Sequence, residues 1–320
     1  MPVPVPARRT ALQADVLAWY ERHGRRFDFR GPRDPYPVLV AEVILQQTQA
    51  SRGEAAWRGF MARFPDVGGL AAARPADVLR AWAGLGYNRR ALNLWRAAQV
   101  VVTDHDGRIP GGVAELERLP GVGPYTARAV AAIAFGAPVT PIDTNVRRVL
   151  GRVLLGRGAR LDAGGAPPPR ELQADADRLV PPDRSAEWTA ALMDCGAVLC
   201  RPRAPRCGEC PLRPYCSFAR RAERGRPAAS SAVVVRPSAA RPPATPRVAA
   251  GNGSPRYPAS TRWLRGRIVA RLRELPDGAW LELAGPLGEH DGAAISAAVA
   301  DLAAEGLLER DAAGRIRLPH

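Results

Sequence analysis

Four cysteines lie close together near position 200 and have the spacing of metal ligands. Cys200, Cys207, Cys210 and Cys216 form a C-x6-C-x2-C-x5-C arrangement, and Cys195 is the fifth cysteine of the chain. In a reducing compartment, clustered thiols are typical of metal ligands rather than of disulfides. Four thiolates fit one tetrahedral zinc ion or one iron–sulfur cubane, and ligand chemistry alone does not separate the two. Cys195 is interpreted as an ordinary buried thiol.

A glycine-rich turn, Leu-Pro-Gly-Val-Gly, joins two helical stretches within residues 115–136. Gly121 and Gly123 let the backbone come close to a phosphate, and Pro124 suits the first position of the next helix. The N–H groups at a helix start are unpaired and attract an anion. The turn therefore predicts a phosphate-binding site.

Two acidic residues are candidates for acid–base or electrostatic chemistry. On a helix, Glu42 shares a face with Val38 and Leu45, so its carboxyl is expected at the edge of an apolar pocket. Such burial raises a carboxyl pKa and suits the group to donate a proton; a solvated helix glutamate is the plainer alternative. Asp143 precedes Thr144 and is placed to cap the next helix.

The elements that must position these residues are helices. Apolar residues recur at helical spacing through residues 10–218, as in Leu12, Val16 and Tyr20, and no alternating strand pattern competes. Glycine and proline punctuate the helices at short intervals. The sequence therefore predicts a mainly α array over residues 1–220, which includes the cysteine loop at 200–216.

The remaining third of the chain differs in composition. Residues 221–258 are rich in Arg, Pro, Ala and Ser, which predicts a flexible basic linker. Residues 259–320 contain two amphipathic stretches and then a hairpin turning at Ala313-Gly314. This order predicts a small winged-helix-like module, with an unspecific α+β appendage as the alternative.

Charge indicates the kind of partner. The chain has 46 Lys+Arg against 31 Asp+Glu, a formal net charge of +15. A polyanion is the natural partner for such a chain, although a GC-biased genome also enriches arginine. No apolar run is long enough for a membrane helix and no secretion signal is evident. We expect a cytoplasmic protein, which in a bacterium includes the nucleoid, with no membrane partner.

Three motifs together resemble one family. They are the Leu-Pro-Gly-Val-Gly turn followed by Pro141-Ile142-Asp143, the Glu42-Val43-Ile44-Leu45-Gln46-Gln47-Thr48-Gln49 run, and the cysteine loop. This set resembles the helix-hairpin-helix DNA glycosylases of the endonuclease III superfamily, and most closely the MutY-type adenine glycosylases. The resemblance implies a fold of two helical subdomains and a structural [4Fe-4S] cluster on the four cysteines.

The same resemblance implies a base-excision repair activity and roles for single residues. Glu42 would protonate an adenine flipped out of DNA, and Asp143 would stabilise the cationic sugar. The adenine would be one mispaired with 8-oxoguanine or guanine in double-stranded DNA, and the enzyme would be a monomer. Further residues implied in binding substrate or DNA are Arg30, Leu45, Gln47, Tyr87, Gly121, Gly123 and Tyr125.

Tyr125 also bears on the type of reaction. Bifunctional relatives of the endonuclease III type place a lysine there, which forms a Schiff base and cleaves the strand. A tyrosine instead predicts a monofunctional glycosylase that leaves an abasic site.

The resemblance is incomplete in two places. Many adenine glycosylases have two tyrosines after the Gly84–Gly86 turn, whereas here Asn88 follows Tyr87. The C-terminal third does not resemble the Nudix-like domain that many MutY proteins use to sense 8-oxoguanine. The winged-helix-like module could substitute for it, add DNA contacts or bind a protein. Its candidates for DNA contact are Trp263, Arg265, Arg267 and Arg271.

Two other functions stay open at this stage. Relatives that remove thymine from T·G mismatches also pair a glutamate with a tyrosine, although the Gln-Gln-Thr-Gln run favours adenine. A non-catalytic iron–sulfur regulator that binds DNA is the alternative from another class, and the presence of both acidic residues counts against it.

Overall fold

The computed structural model describes residues 6–156, 170–224, 257–283 and 285–320. The chain divides into two compact units, one of which runs to Arg221 and includes Leu318–His320, while the other covers Ala222–Arg317. None of the helices in the described ranges has the length and hydropathy needed to cross a membrane.

Within its described residues, the first unit contains helices and no strands. Its α-helices, in chain order, are α1 Pro6–His23, α2 Pro35–Leu45, α3 Ala50–Arg63, α4 Val67–Ala71, α5 Pro75–Ala81, α6 Arg89–Asp104, α7 Val113–Leu116, α8 Pro124–Ala134, α9 Thr144–Leu155, α10 Arg170–Arg178, α11 Ser185–Asp194 and α12 Ser217–Arg224. A π-helix at Cys195–Leu199 continues α11, and short 3-10 turns cover Asp28–Arg30, Cys207–Glu209 and Arg213–Tyr215.

Local sequence determines where the helices that carry the site begin. Asp34 caps α2 by accepting a hydrogen bond from the N–H of Tyr36, and a proline follows it. Asp143 caps α9 in the same way through the N–H of Val146. A side-chain N-cap is worth about 1 kcal/mol over alanine at the same position. Helix α9 ends at Gly156, which has the left-handed conformation that glycine adopts most readily.

The helices pack in two groups. Helix α1 contributes Leu12, Val16 and Leu17 to a core shared with α9–α12, so the start of the chain folds back onto residues far along it. Helices α2–α8 bury large side chains, among them Trp82 and Phe60. The structure thus agrees with the two helical subdomains predicted from the sequence, and α8 packs against both α2 and α11.

The second unit contains helix α13 (Thr261–Glu274), helix α14 (Gly292–Ala304) and an antiparallel pair, β1 Glu309–Arg310 with β2 Ile316–Arg317. The two helices and the hairpin occur where the sequence indicated them, while the winged-helix assignment itself stays a prediction. Arg265, one of the candidates for DNA contact, pairs with Glu305 and Asp301 inside this unit, and its contact with DNA stays a prediction.

The predicted linker at 221–258 falls almost wholly outside the described residues. Where it is described, the prediction needs correction: residues 221–224 continue α12, and residues 257–258 belong to a 3-10 turn. The composition predicts the end of the helical unit a few residues too early, because Arg and Ala are also good helix formers.

Candidate active site

A cavity of about 230 Å³ opens in the helical unit. Its wall is formed by α1, the segment at 25–33, α2, the first residue of α3, α8, the start of α9, and α11. Five of the sequence-predicted residues lie in that wall: Arg30, Glu42, Leu45, Tyr125 and Asp143. Residues far apart in the chain therefore meet at one concave site.

Glu42 lies on the buried face of α2, with Val38 and Leu45 beside it in the cavity wall. Its side chain is buried, and burial raises its pKa from 4.5 to about 7. The charge of Asp143 acts in the same direction, while the hydrogen bond from Tyr125 and the charge of Arg30 oppose it. A carboxyl of this kind holds a proton near neutral pH and has the pKa expected of a general acid.

Tyr125 lies in the first turn of α8, directly after the Gly123-Pro124 start of that helix. Burial, together with the nearby Glu42 and Asp143 carboxyls, raises the pKa of Tyr125 well above its ordinary value. The phenol therefore stays neutral and serves as a hydrogen-bond donor to Glu42. It is no nucleophile under ordinary conditions.

Asp143 combines two functions in one side chain. Its Oδ1 accepts the N–H of Val146 at 2.6 Å and its Oδ2 accepts the Asn145 amide at 3.3 Å, while the residue also lines the cavity. Burial raises the pKa of Asp143, and the hydrogen bonds from Val146 and Asn145 oppose that rise. The cap fixes the carboxyl at the cavity wall.

Gly121 and Gly123 place a tight turn at the start of α8, as the sequence predicted. Gly121 has φ +77°, a backbone angle that residues with side chains rarely adopt. A Cβ at this position would also lie 2.6 Å from the Cβ of Asn93, so there is no space for a side chain. Gly123 is the N-cap of α8, with open space around it. Because Pro124 has no N–H, the backbone N–H groups at this helix start belong to Gly123, Tyr125 and Thr126, which suits an anion bound beside the cavity.

Gln47 and Tyr87 lie on two turns outside the cavity wall. Both adopt left-handed backbone angles, φ 56° and φ 47°, which are rare for residues with side chains. Among the residues that the structure describes, Tyr87 is one of four large apolar side chains left exposed. Strained and exposed residues of this kind are typical of binding sites.

Arg90 connects these two turns and was not identified from the sequence. Its NH1 donates to the carbonyls of Val43, Ile44 and Gln46 at the end of α2, and its NH2 donates to that of Leu85 at 3.2 Å. Its guanidinium also lies 5.6 Å from the centre of the Tyr87 ring. One side chain thus fixes the end of the helix that carries Glu42 against the turn that carries Tyr87.

Asp194 and Arg25 are further residues that sequence reasoning missed. Asp194 ends α11 with no exposed surface, and both Arg25 and Arg30 bind its carboxylate. Burial alone would raise the pKa of Asp194, but Arg30 and Arg25 outweigh that effect and hold it below its usual range. No motif or spacing rule connects these three positions, so only the structure reveals them.

The four predicted metal ligands share a second, apolar cavity. Cys200, Cys207, Cys210 and Cys216 line it together with side chains such as Leu199 and Phe218. Cys195 is wholly buried in the π-helix and does not line this cavity. Burial, and repulsion from the neighbouring thiols, raise the pKa of Cys210 to about 12.

Buried thiols with raised pKa values ionise only when cations compensate them. Arg152 supplies one positive charge, since its NH1 lies 3.3 Å from the Sγ of Cys200. The donor set is four thiols in an apolar cavity, and a bound metal centre would stabilise their thiolates. The residues present therefore fit a four-thiolate metal group.

Comparison with known proteins agrees with this geometry. The sequence matches the family described as "HhH-GPD superfamily base excision DNA repair protein" over residues 40–182. An adenine DNA glycosylase of Mycobacterium tuberculosis is 38% identical over 329 residues, covering 98% of this chain and 96% of that protein. That similarity extends through the second unit as well as the first.

Solved structures give the same result for the fold. A thermostable thymine-DNA glycosylase has a TM-score of 0.61 and 29% identity, covering 67% of this chain and 98% of that one. An endonuclease III trapped as a covalent intermediate with DNA has a TM-score of 0.55 and 20% identity, covering 69% and 99%, which is a likeness of fold. The chain belongs to the HhH-GPD superfamily of base excision DNA repair proteins, in the family of the MutY-type adenine DNA glycosylases.

Proposed function

We propose that this chain is a monofunctional glycosylase that hydrolyses the N-glycosidic bond of adenine mispaired with 8-oxoguanine or guanine in double-stranded DNA. The observation that carries the proposal is the buried Glu42, with its pKa near 7, in the same cavity as the Asp143 carboxyl. The cavity adjoins the phosphate-binding turn at the start of α8. The protein would act as a monomer, in the cytoplasm where bacterial DNA lies.

The proposed mechanism follows from what cleavage of the N-glycosidic bond requires. Adenine leaves poorly until it is protonated, and its departure leaves positive charge on the sugar. Glu42 holds a proton at neutral pH and would deliver it to N7 of the base, with Tyr125 orienting the carboxyl. Asp143 would stabilise the cationic sugar, either as a charge or through a transient covalent bond. The base must first leave the stack, since a buried carboxyl cannot reach it inside a duplex.

Binding of the extruded strand would involve the other predicted residues. Arg30 and Leu45 would contact the base from the cavity wall, and the turn at Gly121 and Gly123 would hold a phosphate. Gln47 and Tyr87 would enter the stack or touch the opposite strand. Their strained backbones and exposed position support this role.

The absence of a lysine that could form a Schiff base supports the monofunctional assignment. Tyr125 stands where bifunctional relatives have lysine, and the 320-residue sequence contains no lysine at all. Borohydride treatment during turnover traps a Schiff base as a stable protein–DNA adduct. We expect no such adduct; an adduct, or strand cleavage without alkali, would contradict this assignment.

We further propose that the cysteine cavity holds a [4Fe-4S] cluster that stabilises the loop at 200–216. Four thiols that line one apolar cavity, in a chain related to endonuclease III, support a cluster on these ligands. Purified protein should be brown with broad visible absorbance; a colourless protein containing zinc would refute the cluster.

The deciding experiment measures base release from matched duplexes. Single-turnover assays on A·8-oxoguanine, A·G and T·G pairs, each followed by alkaline cleavage, separate the candidate substrates. We expect excision from the first two. The similarity to a thymine-DNA glycosylase makes the third a necessary control, and preferential thymine release would overturn the adenine assignment. Binding without any alkali-labile product would instead identify a non-catalytic regulator.

A further inference from the structure

Asp194 is the acceptor for two arginines at the back of the cavity. Its Oδ1 accepts Arg25 Nε at 2.7 Å and Arg30 NH2 at 2.9 Å. Its Oδ2 accepts the Arg25 backbone N–H at 2.8 Å and Arg30 NH1 at 3.0 Å. The carboxylate is thus fully hydrogen bonded, which is what a buried charge requires.

The two arginines are held close to each other. The guanidinium carbons of Arg25 and Arg30 lie 5.3 Å and 5.2 Å from the centre of the same Phe27 ring. Two cations in such proximity repel each other unless an anion lies between them. Asp194 supplies that anion and fixes the direction of both side chains.

Both arginines line the cavity that contains Glu42. The positive charge of Arg30 lowers the pKa of Glu42, in opposition to burial. A cation that faced Glu42 without compensation would therefore favour the ionised carboxylate, which has no proton to give. The negative charge of Asp194, which compensates Arg30, therefore affects the pKa of Glu42 although Asp194 does not contact Glu42.

We propose that Asp194 is a positioning residue that orients Arg25 and Arg30 in the cavity wall and offsets their charge, so that Glu42 keeps its proton. The inference rests on the proposed glycosylase activity. It assigns a role to a residue that contacts neither the cavity nor any of the reacting atoms.

Other charged and titratable groups also face Glu42. Helix α3 contributes only Ala50 to the cavity wall, and Arg90 from α6 binds the carbonyl end of α2. The groups that line the cavity with Glu42 are Tyr20, Arg25, Arg30, Arg33, Tyr125, Asp143 and Glu187. Of these, Arg33 already pairs with Glu187 at 2.8 Å, which leaves the Arg25–Arg30 pair dependent on Asp194.

The test is the pH profile of single-turnover excision by Asp194→Asn, a variant of the same shape without the charge. Excision requires protonated Glu42, so the rate falls as pH rises through the pKa of that group. We expect the midpoint of this fall to move to lower pH by about one unit. With a wild-type midpoint near 7, the deficit relative to wild type should then be about fivefold larger at pH 8 than at pH 6.

Asp177→Asn is the matched control. Asp177 accepts bonds from Arg128, the Thr140 N–H and Gln173, but it does not line the cavity. It should lose stability without a shift of the midpoint. If the excision rate of Asp194→Asn is lower than that of wild type by the same factor at every pH, the role of Asp194 is only structural and the proposal is wrong.

Two further variants protect the test against a folding defect. Arg30→Gln removes one cation and should move the midpoint to higher pH, while the double variant Arg30→Gln/Asp194→Asn should return it close to the wild-type value. Absent shifts, or a double variant whose midpoint stays as low as that of Asp194→Asn, would contradict a charge balance between the two residues.

A measurement without DNA separates this inference from the proposed function. The Glu42 carboxyl can be followed by carbon NMR in protein labelled at glutamate carboxyls and assigned by its loss in Glu42→Gln. Its titration midpoint should be lower in Asp194→Asn than in wild type. An unchanged midpoint overturns the inference. If the wild-type protein releases no base from any duplex, the proposed function is wrong, but this titration still decides the role of Asp194.

Discussion

The carboxyls of Glu42 and Asp143 lie in the wall of one buried cavity, although one belongs to the middle of α2 and the other caps α9. The charge of Asp143 raises the pKa of Glu42, in the same direction as burial. Asp143 is held by the N–H of Val146, whereas Glu42 accepts from a neutral phenol. Burial outweighs the single hydrogen bond to Glu42, whereas Asp143 accepts from both Val146 and Asn145, so we expect the proton on Glu42 and the negative charge on Asp143.

Replacing Glu42 by glutamine should abolish most base release. Glutamine keeps the shape of the side chain but has no acidic proton, and a general acid contributes about 10²–10⁴-fold to a rate. Single-turnover excision from an A·8-oxoguanine duplex measures the loss. Wild-type excision should decline above pH 7, because the pKa of Glu42 is about 7 and its protonated form is the active one. Wild-type activity in Glu42→Gln at pH 6 would refute the acid role.

The same substitution should stabilise the protein at alkaline pH. Because the folded protein raises the pKa of Glu42 from 4.5 to about 7, it binds the proton more tightly than the unfolded chain does. The free energy of unfolding therefore falls as pH rises across that interval, by about 3 kcal/mol at most.

Glutamine does not ionise, so Glu42→Gln loses no stability as the pH rises. The variant should therefore be more stable than wild type at pH 8 and close to wild type at pH 5. Urea unfolding at both pH values provides the comparison. A variant that is less stable than wild type at pH 8 would show that the folded protein does not raise the pKa of the Glu42 carboxyl.

The helix-capping role and the proposed catalytic role of Asp143 can be tested separately. Asparagine caps helices about as well as aspartate, whereas alanine costs about 1 kcal/mol at an N-cap. We expect Asp143→Asn to unfold like wild type and yet to lose excision, and Asp143→Ala to lose both stability and excision. Thermal unfolding and single-turnover excision of the two variants, compared side by side, test this. Equal activity of Asp143→Asn and wild type would leave only the capping role.

Sequence could predict those parts of the site that depend on local rules. The turn at Gly121 follows from the special backbone angles of glycine, and Asp143 from its position before a helix. The pocket position of Glu42 follows from helical spacing to Leu45. Asp194 obeys no such rule, because a lone aspartate at the end of a helix acquires its role from arginines more than 160 positions away in the chain.

Arg90 could not be predicted for the same reason. Its acceptors are backbone carbonyls at the end of α2 and in the next turn, and every residue type has a carbonyl. The C-terminal unit shows the reverse case: helical and hairpin patterns predicted its elements, but Arg265 proved to be paired within the unit. Periodicity predicts elements well and the partners of a charge poorly.

Arg90→Lys should weaken the connection between the turns of Gln47 and Tyr87. Lysine cannot donate simultaneously to the carbonyls that Arg90 binds on both segments, and each lost bond to a charged donor costs about 1–3 kcal/mol. We expect lower stability and weaker binding to a lesion duplex. Arg89→Lys, on the exposed side of the same turn, keeps the charge balance and should resemble wild type. Equal behaviour of the two variants in unfolding and binding assays would show that Arg90 contributes only its charge.

The central claim is that an adenine outside the DNA stack lies between the Glu42 and Asp143 carboxyls. The most direct measurement is a crystal structure of the Asp143→Asn protein bound to a duplex with an A·8-oxoguanine pair. We predict the adenine in the cavity, with its N7 within hydrogen-bond distance of Glu42 and its sugar facing residue 143. An adenine that remains stacked in the duplex, or that occupies a different part of the protein surface, would contradict the account.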